Sequence, residues 1–181
     1  MTKWIGACGR ALAWWLSIQP QQLKWAIGDF LGLLWFDVFR IRRKVVLKNL
    51  ETAFPEWTEK RRIQVGRQSL FHLGRDLMEY SELPFLTKER ASQKTLIEGE
   101  QHLIEALRQN KGVALLTLHL GNGDFAIGTL SVMGYPMYLI SKEFKLAWLN
   151  RLWFGMRAEL GTHFIPPRNS SYSVLKALKK N

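Results

Sequence analysis

From residue 95 onward, short apolar runs of strand length alternate with stretches of helical spacing, and this alternation most restricts how the chain can fold. Thr95-Leu-Ile97 reads as a short strand, 100–109 as a helix, Val113 to Leu118 as a buried strand and 124–133 as a helix. Tyr138-Leu-Ile140 reads as the next strand, 146–160 as a helix, His163-Phe-Ile165 as a strand and 171–179 as a helix. Short strands separated by helices imply parallel pairing through right-handed crossovers. The expected class is therefore α/β, a mostly parallel sheet with flanking helices. Upstream, Pro55 ends one segment, Thr58 is a plausible N-cap, and Ile63, Leu70, Leu73 and Leu77 space a helix up to Tyr80 that packs on the sheet. At 181 residues and 47% hydrophobic content the chain is about one domain with a real core. No repeat or Pro/Gly/Ser linker suggests a second globular domain.

The first 45 residues have a different character. Five of the eight tryptophans (Trp4, Trp14, Trp15, Trp25 and Trp35) lie there, in two apolar stretches separated by Gln19-Pro20-Gln21-Gln22. Tryptophan in such a setting favours a membrane interface. Arg10 interrupts the first stretch, and Asp29 and Asp37 the second, so neither offers the ~18 uncharged apolar residues of a simple spanning helix. An interfacial or re-entrant anchor is expected, without the layout of a cleaved signal peptide. Gly28 and Gly32 form a G-x-x-x-G, read as close helix packing. Arg40, Arg42, Arg43, Lys44 and Lys48 come next, with no acid between Val38 and Leu50. Such a cluster attracts anionic headgroups and places the remainder of the chain in the cytoplasm; a solvated basic helix face is the alternative. The division expected is 1–45 as hydrophobic anchor with basic flank and 46–181 as the N-terminal part of the globular domain.

A net charge of +11 calls for anionic partners. Nucleic acid fits poorly, because the aromatics cluster in the apolar N-terminus and do not interleave with the cations as stacking platforms. The single cysteine, Cys8, excludes an intrachain disulfide and a cysteine zinc cluster.

The chemistry points to Gly112-Val-Ala-Leu-Leu-Thr-Leu-His119-Leu-Gly-Asn-Gly-Asp124, an apolar run closed by a histidine, a glycine-rich turn and an acid. Spacing alone is weak: four His and 15 acidic residues in 181 give about one chance match in three chains. Context adds weight, since His119 alone of the four makes the pair and does so at an expected strand-to-helix junction, where open α/β sheets place their chemistry. His119 would act as general base on a hydroxyl, with Asp124 orienting and charge-stabilising it. A core histidine beside a helix-capping aspartate is the alternative. Backbone N–H groups around Gly121, Asn122 and Gly123 are candidates for stabilising an oxyanion, or they simply turn the chain. Leu146, Leu149, Trp153 and Met156 share a helical face flanked by Lys145, Arg151 and Arg157. That face suits a second membrane contact, part of an acyl groove, or a helix packed on the sheet. His119 and Asp124 lack a third nearby ligand, and His163 stands alone beside a strand, so no metal is expected.

These blocks, in this order, resemble the late acyltransferases of lipid A biosynthesis, the lauroyl/myristoyl type, within the broader lysophospholipid-acyltransferase-like group. Arg43 with Asn49-Leu50 and Ala53-Phe54-Pro55-Glu56 looks like the family's R…NL…FPE block, and Gly74 with Glu79 resembles its G…E helix. His119-Leu-Gly121-Asn122-Gly-Asp124 resembles its H-x-G-N-W-E; Arg157 with Gly161, and Arg168, resemble later basic positions. Gly123 stands where many members carry tryptophan, Asp124 replaces the commoner glutamate, and Lys142 stands where arginine is frequent. Members run on past the point equivalent to Asn181, through a further strand with an aspartate block and further helices. The resemblance therefore implies a C-terminally truncated chain with an incomplete glycerolipid-acyltransferase-like sheet.

The resemblance further implies acyl transfer at the cytoplasmic face of a bacterial inner membrane. A fatty acyl thioester on acyl carrier protein would be the co-substrate, with no other cofactor, and a hydroxyl of a lipid A precursor or related glycolipid the acceptor. Attack would be direct, consistent with the absence of a G-x-S-x-G elbow. Lys142, Arg157 and Arg168 would bind acceptor phosphates or acids of the carrier protein, the latter a salt-sensitive attraction that raises the encounter rate. An inactive membrane-associated remnant, or an enzyme acting on another lysophospholipid or glycolipid, are the alternatives.

Overall fold

The computed structural model describes residues 2–179, with side chains from residue 6; Trp4 as an interfacial side chain lies outside it. The elements in chain order are α1 (Thr2–Ser17), α2 (Gln21–Leu33), a π-helical turn (Leu34–Val38), α3 (Arg43–Ala53), α4 (Glu59–Glu79) and a 3-10 turn (Tyr80–Phe85). They continue with α5 (Lys88–Lys94), α6 (Glu100–Leu107), α7 (Gly123–Val132), β1 (Tyr138–Ile140), α8 (Ala147–Ala158), β2 (His163–Ile165) and α9 (Ser170–Leu178). The described chain is thus mostly helical, with one two-stranded parallel sheet pairing Tyr138 with His163, Leu139 with Phe164 and Ile140 with Ile165. Packing divides it into two compact units, Ala11–Glu82 and Met1–Arg10 together with Leu83–Asn181. Hydropathy draws its line elsewhere, at 45/46, because the apolar α2 packs on the amphipathic α4 within one unit.

In the unit Ala11–Glu82, the G-x-x-x-G of α2 is a helix-packing device. A Cβ at Gly28 would lie 2.6 Å from the Arg75 nitrogen and 2.8 Å from the Gly74 carbonyl carbon; one at Gly32 would lie 2.7 Å from the Leu70 carbonyl carbon. The backbones of α2 and α4 therefore meet where the α2 glycines lack side chains. Gly66, Leu70, Gly74 and Met78 recur every four residues as the buried stripe of α4, the spacing that lines one face of a helix. Phe36, fully buried, fills the next position along against Gly66. Thr58 caps α4 by accepting from the Arg61 amide. Gly28→Ala would gain about 1 kcal/mol of helix propensity. The new methyl meets unyielding backbone, however, and overpacking costs up to ~3 kcal/mol. The expected net loss is about 2 kcal/mol, read as a lower urea midpoint at unchanged slope.

Asp29 and Asp37, which interrupt the second apolar stretch, bind α4. Asp29 accepts two bonds from Arg75 (2.6 and 2.7 Å) and Asp37 two from Arg67 (2.6 and 3.1 Å). Lys24, buried, pairs with Glu82. Arg43 also donates to Asp37 and lies over the Phe36 ring. Of the five clustered cations, Arg43 is thus committed to this unit, while Arg40, Arg42 and Lys44 are exposed, as is Lys48, which donates to Glu51 at 2.9 Å. The Arg75 bonds hold Asp29 below the usual carboxylate range, as the Arg67 bonds do Asp37, each outweighing partial desolvation. A native pKa below the unfolded 3.8 gives stabilisation present above pH 3.8 and lost as pH falls through the native values. Asp76 is pushed up by burial and then by Glu79, so its contribution has the opposite sign and fades as pH rises through its native value. A urea-midpoint series against pH should therefore fall below about pH 4 in the native chain, and fall less steeply in Asp29→Asn/Asp37→Asn.

Two expected strands are absent. Residues 113–118 are irregular and largely exposed, with Leu116 fully and Leu118 76% exposed, and Thr95-Leu-Ile97 is irregular with Leu96 83% exposed. An apolar run becomes a buried strand only where a partner supplies its ladder, and among the described residues only β1 and β2 pair. The mostly parallel multi-stranded sheet is accordingly reduced to this pair. Both strands of the pair fall where the sequence placed them, joined through α8. No described helix is long and apolar enough to cross a membrane.

Candidate active site

The connection from 113 to 122 leads into α7 through a tight turn. Gly121 adopts φ +66° with open space where a Cβ would point, and the Gly123 amide donates to the Gly121 carbonyl at 3.2 Å. A side chain at Gly121 would be strained in this left-handed conformation. Asn122 is the N-cap of α7, its Oδ1 accepting from the Phe125 amide at 3.0 Å. His119 lies three residues before that cap, exposed. It forms no hydrogen bond with Asp124 or with any other described residue.

Asp124 occupies the first turn of α7, where the helix dipole favours negative charge. Both its oxygens face Arg157 of α8: Nε donates to Oδ1 at 2.7 Å and Nη2 approaches Oδ2 at 2.6 Å. Arg157 is 2% exposed, lies 4.1 Å over the Trp153 ring and donates from Nη1 to the Trp153 carbonyl at 2.6 Å. The planar guanidinium matches the carboxylate as a fork, which fixes orientation as well as charge. Sequence reasoning placed Arg157 against acceptor phosphate and missed this pairing. The signal was available: Arg157 lies at four-residue steps from Leu149 and Trp153 on the apolar face of α8, and a cation turned inward needs an anion.

Lys142 and Arg168 lie just beyond the carboxyl ends of β1 and β2, both exposed. That end of a parallel sheet is where such folds bind ligands. His163 is exposed on β2 and stacks on Tyr138 at 4.8 Å between ring centroids. Among the described residues, no three His, Cys, Asp or Glu side chains converge as a metal site requires. The R…NL…FPE block builds the corner between α3 and α4: Arg43 binds Asp37, Phe54 stacks on Trp57 at 4.0 Å, and Arg62 donates to the Pro55 carbonyl. Gly74 is the α4 glycine that meets Gly28. These residues build structure.

The sequence matches the family of bacterial lipid A biosynthesis acyltransferases across residues 1–181. It is 27% identical to the lipid A biosynthesis lauroyltransferase of Escherichia coli (strain K12), over 98% of this chain and 57% of that protein. It is 24% identical to a lipid A biosynthesis acyltransferase of Haemophilus influenzae, over 92% of this chain and 58% of that protein. A 117-residue part is 26% identical to the lipid A biosynthesis palmitoleoyltransferase of Escherichia coli (strain K12), covering 64% of this chain and 38% of that protein. The chain spans less than two thirds of the length of these relatives. Matched from end to end, it belongs to the bacterial lipid A biosynthesis acyltransferase family.

Proposed function

We propose that the chain belongs to a membrane-associated O-acyltransferase that moves a fatty acyl group from a thioester on acyl carrier protein to a hydroxyl of a lipid A precursor or related glycolipid. The observation that carries this reading is the family match across residues 1–181, which contains the His119-x4-Asp124 motif at the turn into α7. The acceptor oxygen attacks the thioester carbon while His119 takes the hydroxyl proton. The tetrahedral state then expels the thiolate, to which His119 returns the proton, leaving ester and free thiol. Proton removal by a placed base is worth about 10²- to 10⁴-fold. Asp124 stabilises the imidazolium, and Arg157 is the positioning residue that holds its carboxylate. In the resting chain both Asp124 oxygens serve Arg157, so closure of the 113–122 segment over substrate is what brings His119 to Asp124; catalytic hydrogen bonds commonly tighten only in the complex. The backbone N–H groups of Gly121 and Asn122 face the developing oxyanion, while that of Gly123 closes the turn onto the Gly121 carbonyl. Lys142 and Arg168 receive acceptor phosphates.

The same reading places residues 1–45 on the cytoplasmic face of a bacterial inner membrane. Supporting it, Trp14, Trp15, Trp25, Phe30, Trp35 and Phe39 are all substantially exposed, and Asp29 and Asp37 are paired with α4. Exposed aromatic side chains, followed along the chain by exposed Arg40, Arg42, Lys44 and Lys48, suit an interfacial contact with anionic lipid. The test is acyl transfer by membranes containing the 181-residue chain, given labelled acyl carrier protein thioester and a lipid A precursor. Turnover above membranes lacking the chain is expected; its absence from folded, membrane-bound protein defeats the reading for this chain.

A further inference from the structure

A second apolar surface lies in the other compact unit, where β1 leads into α8. Ile140, Leu146 and Trp148 are about half exposed and Phe144 is 39% exposed. The connection carrying them is held firmly. The Phe144 amide donates to Asn150 Oδ1 at 2.6 Å, and Asn150 Nδ2 donates to the Phe144 carbonyl at 2.9 Å, so one side chain clamps both polar groups of one residue. Beneath it, the Phe144 ring meets Trp153 edge-on at 5.7 Å, and Phe154 meets Phe164 of β2 edge-on at 4.6 Å. Apolar side chains are thus presented to solvent on a clamped backbone, so burying them costs little ordering entropy.

Between and beside them lie three exposed cations, Lys142, Lys145 and Arg151, against one acid, Glu143. The first turn of α8 contains no acid and has no side-chain cap, leaving its amides suited to anionic groups. We propose that the β1–α8 connection is a second membrane contact, in which Leu146 and Trp148 enter the acyl boundary of an anionic bilayer while Lys145 and Arg151 meet its headgroups. An acidic protein would match the cations but leave Leu146 and Trp148 uncovered, whereas tryptophan and aliphatic side chains interleaved with lysine suit the interface itself. This contact extends the membrane part of the proposed function and does not depend on the transfer chemistry.

Cys8 is the single cysteine, so a Cys8→Ser chain accepts an environment-sensitive nitrobenzoxadiazole label at one chosen place. The label is attached in separate chains at Leu146→Cys and, for the N-terminal surface, at Phe30→Cys. Phosphatidylglycerol-rich vesicles should shift emission to the blue and brighten the 146 label severalfold, with a weaker response to phosphatidylcholine and to high salt. Trp148→Glu should abolish the response at 146 and preserve that at 30. A responsive label at 30 with a silent one at 146 overturns this inference and leaves the N-terminal contact standing. Silence at both overturns both. A 146 label that answers to purified acyl carrier protein and ignores vesicles also overturns it, assigning the surface to a protein partner.

Discussion

His119→Ala is expected to lower acyl transfer about 10²- to 10⁴-fold, the usual worth of a general base acting on a hydroxyl. The loss should appear in kcat with KM little changed, because the proton moves only on the way to the transition state. Stability should be almost untouched. His119 is exposed on the connection before α7 and makes no hydrogen bond among the described residues, and surface changes of that kind stay within about 0.5 kcal/mol. Matched urea curves with lost turnover would therefore assign a chemical role. Equal turnover by the two proteins, at equal amounts in the membrane, would remove His119 from the mechanism.

Asp124→Ala is expected to cost stability as well as activity. It removes the carboxylate that Nε and Nη2 of Arg157, 2% exposed, both face. Removing one partner of a fully buried pair costs about 3–5 kcal/mol; with Asp124 22% exposed, the expected loss lies below that range. The reverse change should be milder. Arg157→Met leaves an Asp124 side chain that is 22% exposed and open to water, and methionine fills much of the space with no charge to solvate. Asp124→Ala/Arg157→Met should consequently be more stable than Asp124→Ala alone. A double-mutant cycle by urea unfolding measures that coupling. Additive losses would mean that the contact carries no net energy.

The two predictions separate what each residue does. His119 was legible in the sequence as a histidine at the end of an apolar run, and the structure leaves it exposed before the α7 turn. The spacing in the sequence pairs Asp124 with His119, whereas the packed chain turns both carboxylate oxygens to Arg157, a residue 33 positions away. The sequence sets Arg157 on the flank of the apolar face of α8; that it turns inward, and which anion meets it, depend on how α7 and α8 pack. The G-x-x-x-G of α2 shows the same division. Two glycines four apart predict a close approach, but only the folded chain brings Gly28 to Gly74 and ties Asp29 to Arg75.

Local order was largely written in the chain. The Thr58 cap, the helices α4 and α6 to α9, and the strands Tyr138–Ile140 and His163–Ile165 arise from periodicity and capping within a few residues, since these depend on near neighbours. The strand read at Val113 to Leu118 failed for a physical reason: strand hydrogen bonds are made by partners distant in sequence, and among the described residues none pairs with this segment. Composition also set the apolar, cation-flanked character of the N-terminus. Whether its charges meet water or each other was decided by tertiary packing, because Asp29 and Asp37 count as interruptions of an apolar run until α4 supplies arginines at matching positions along an adjacent helix.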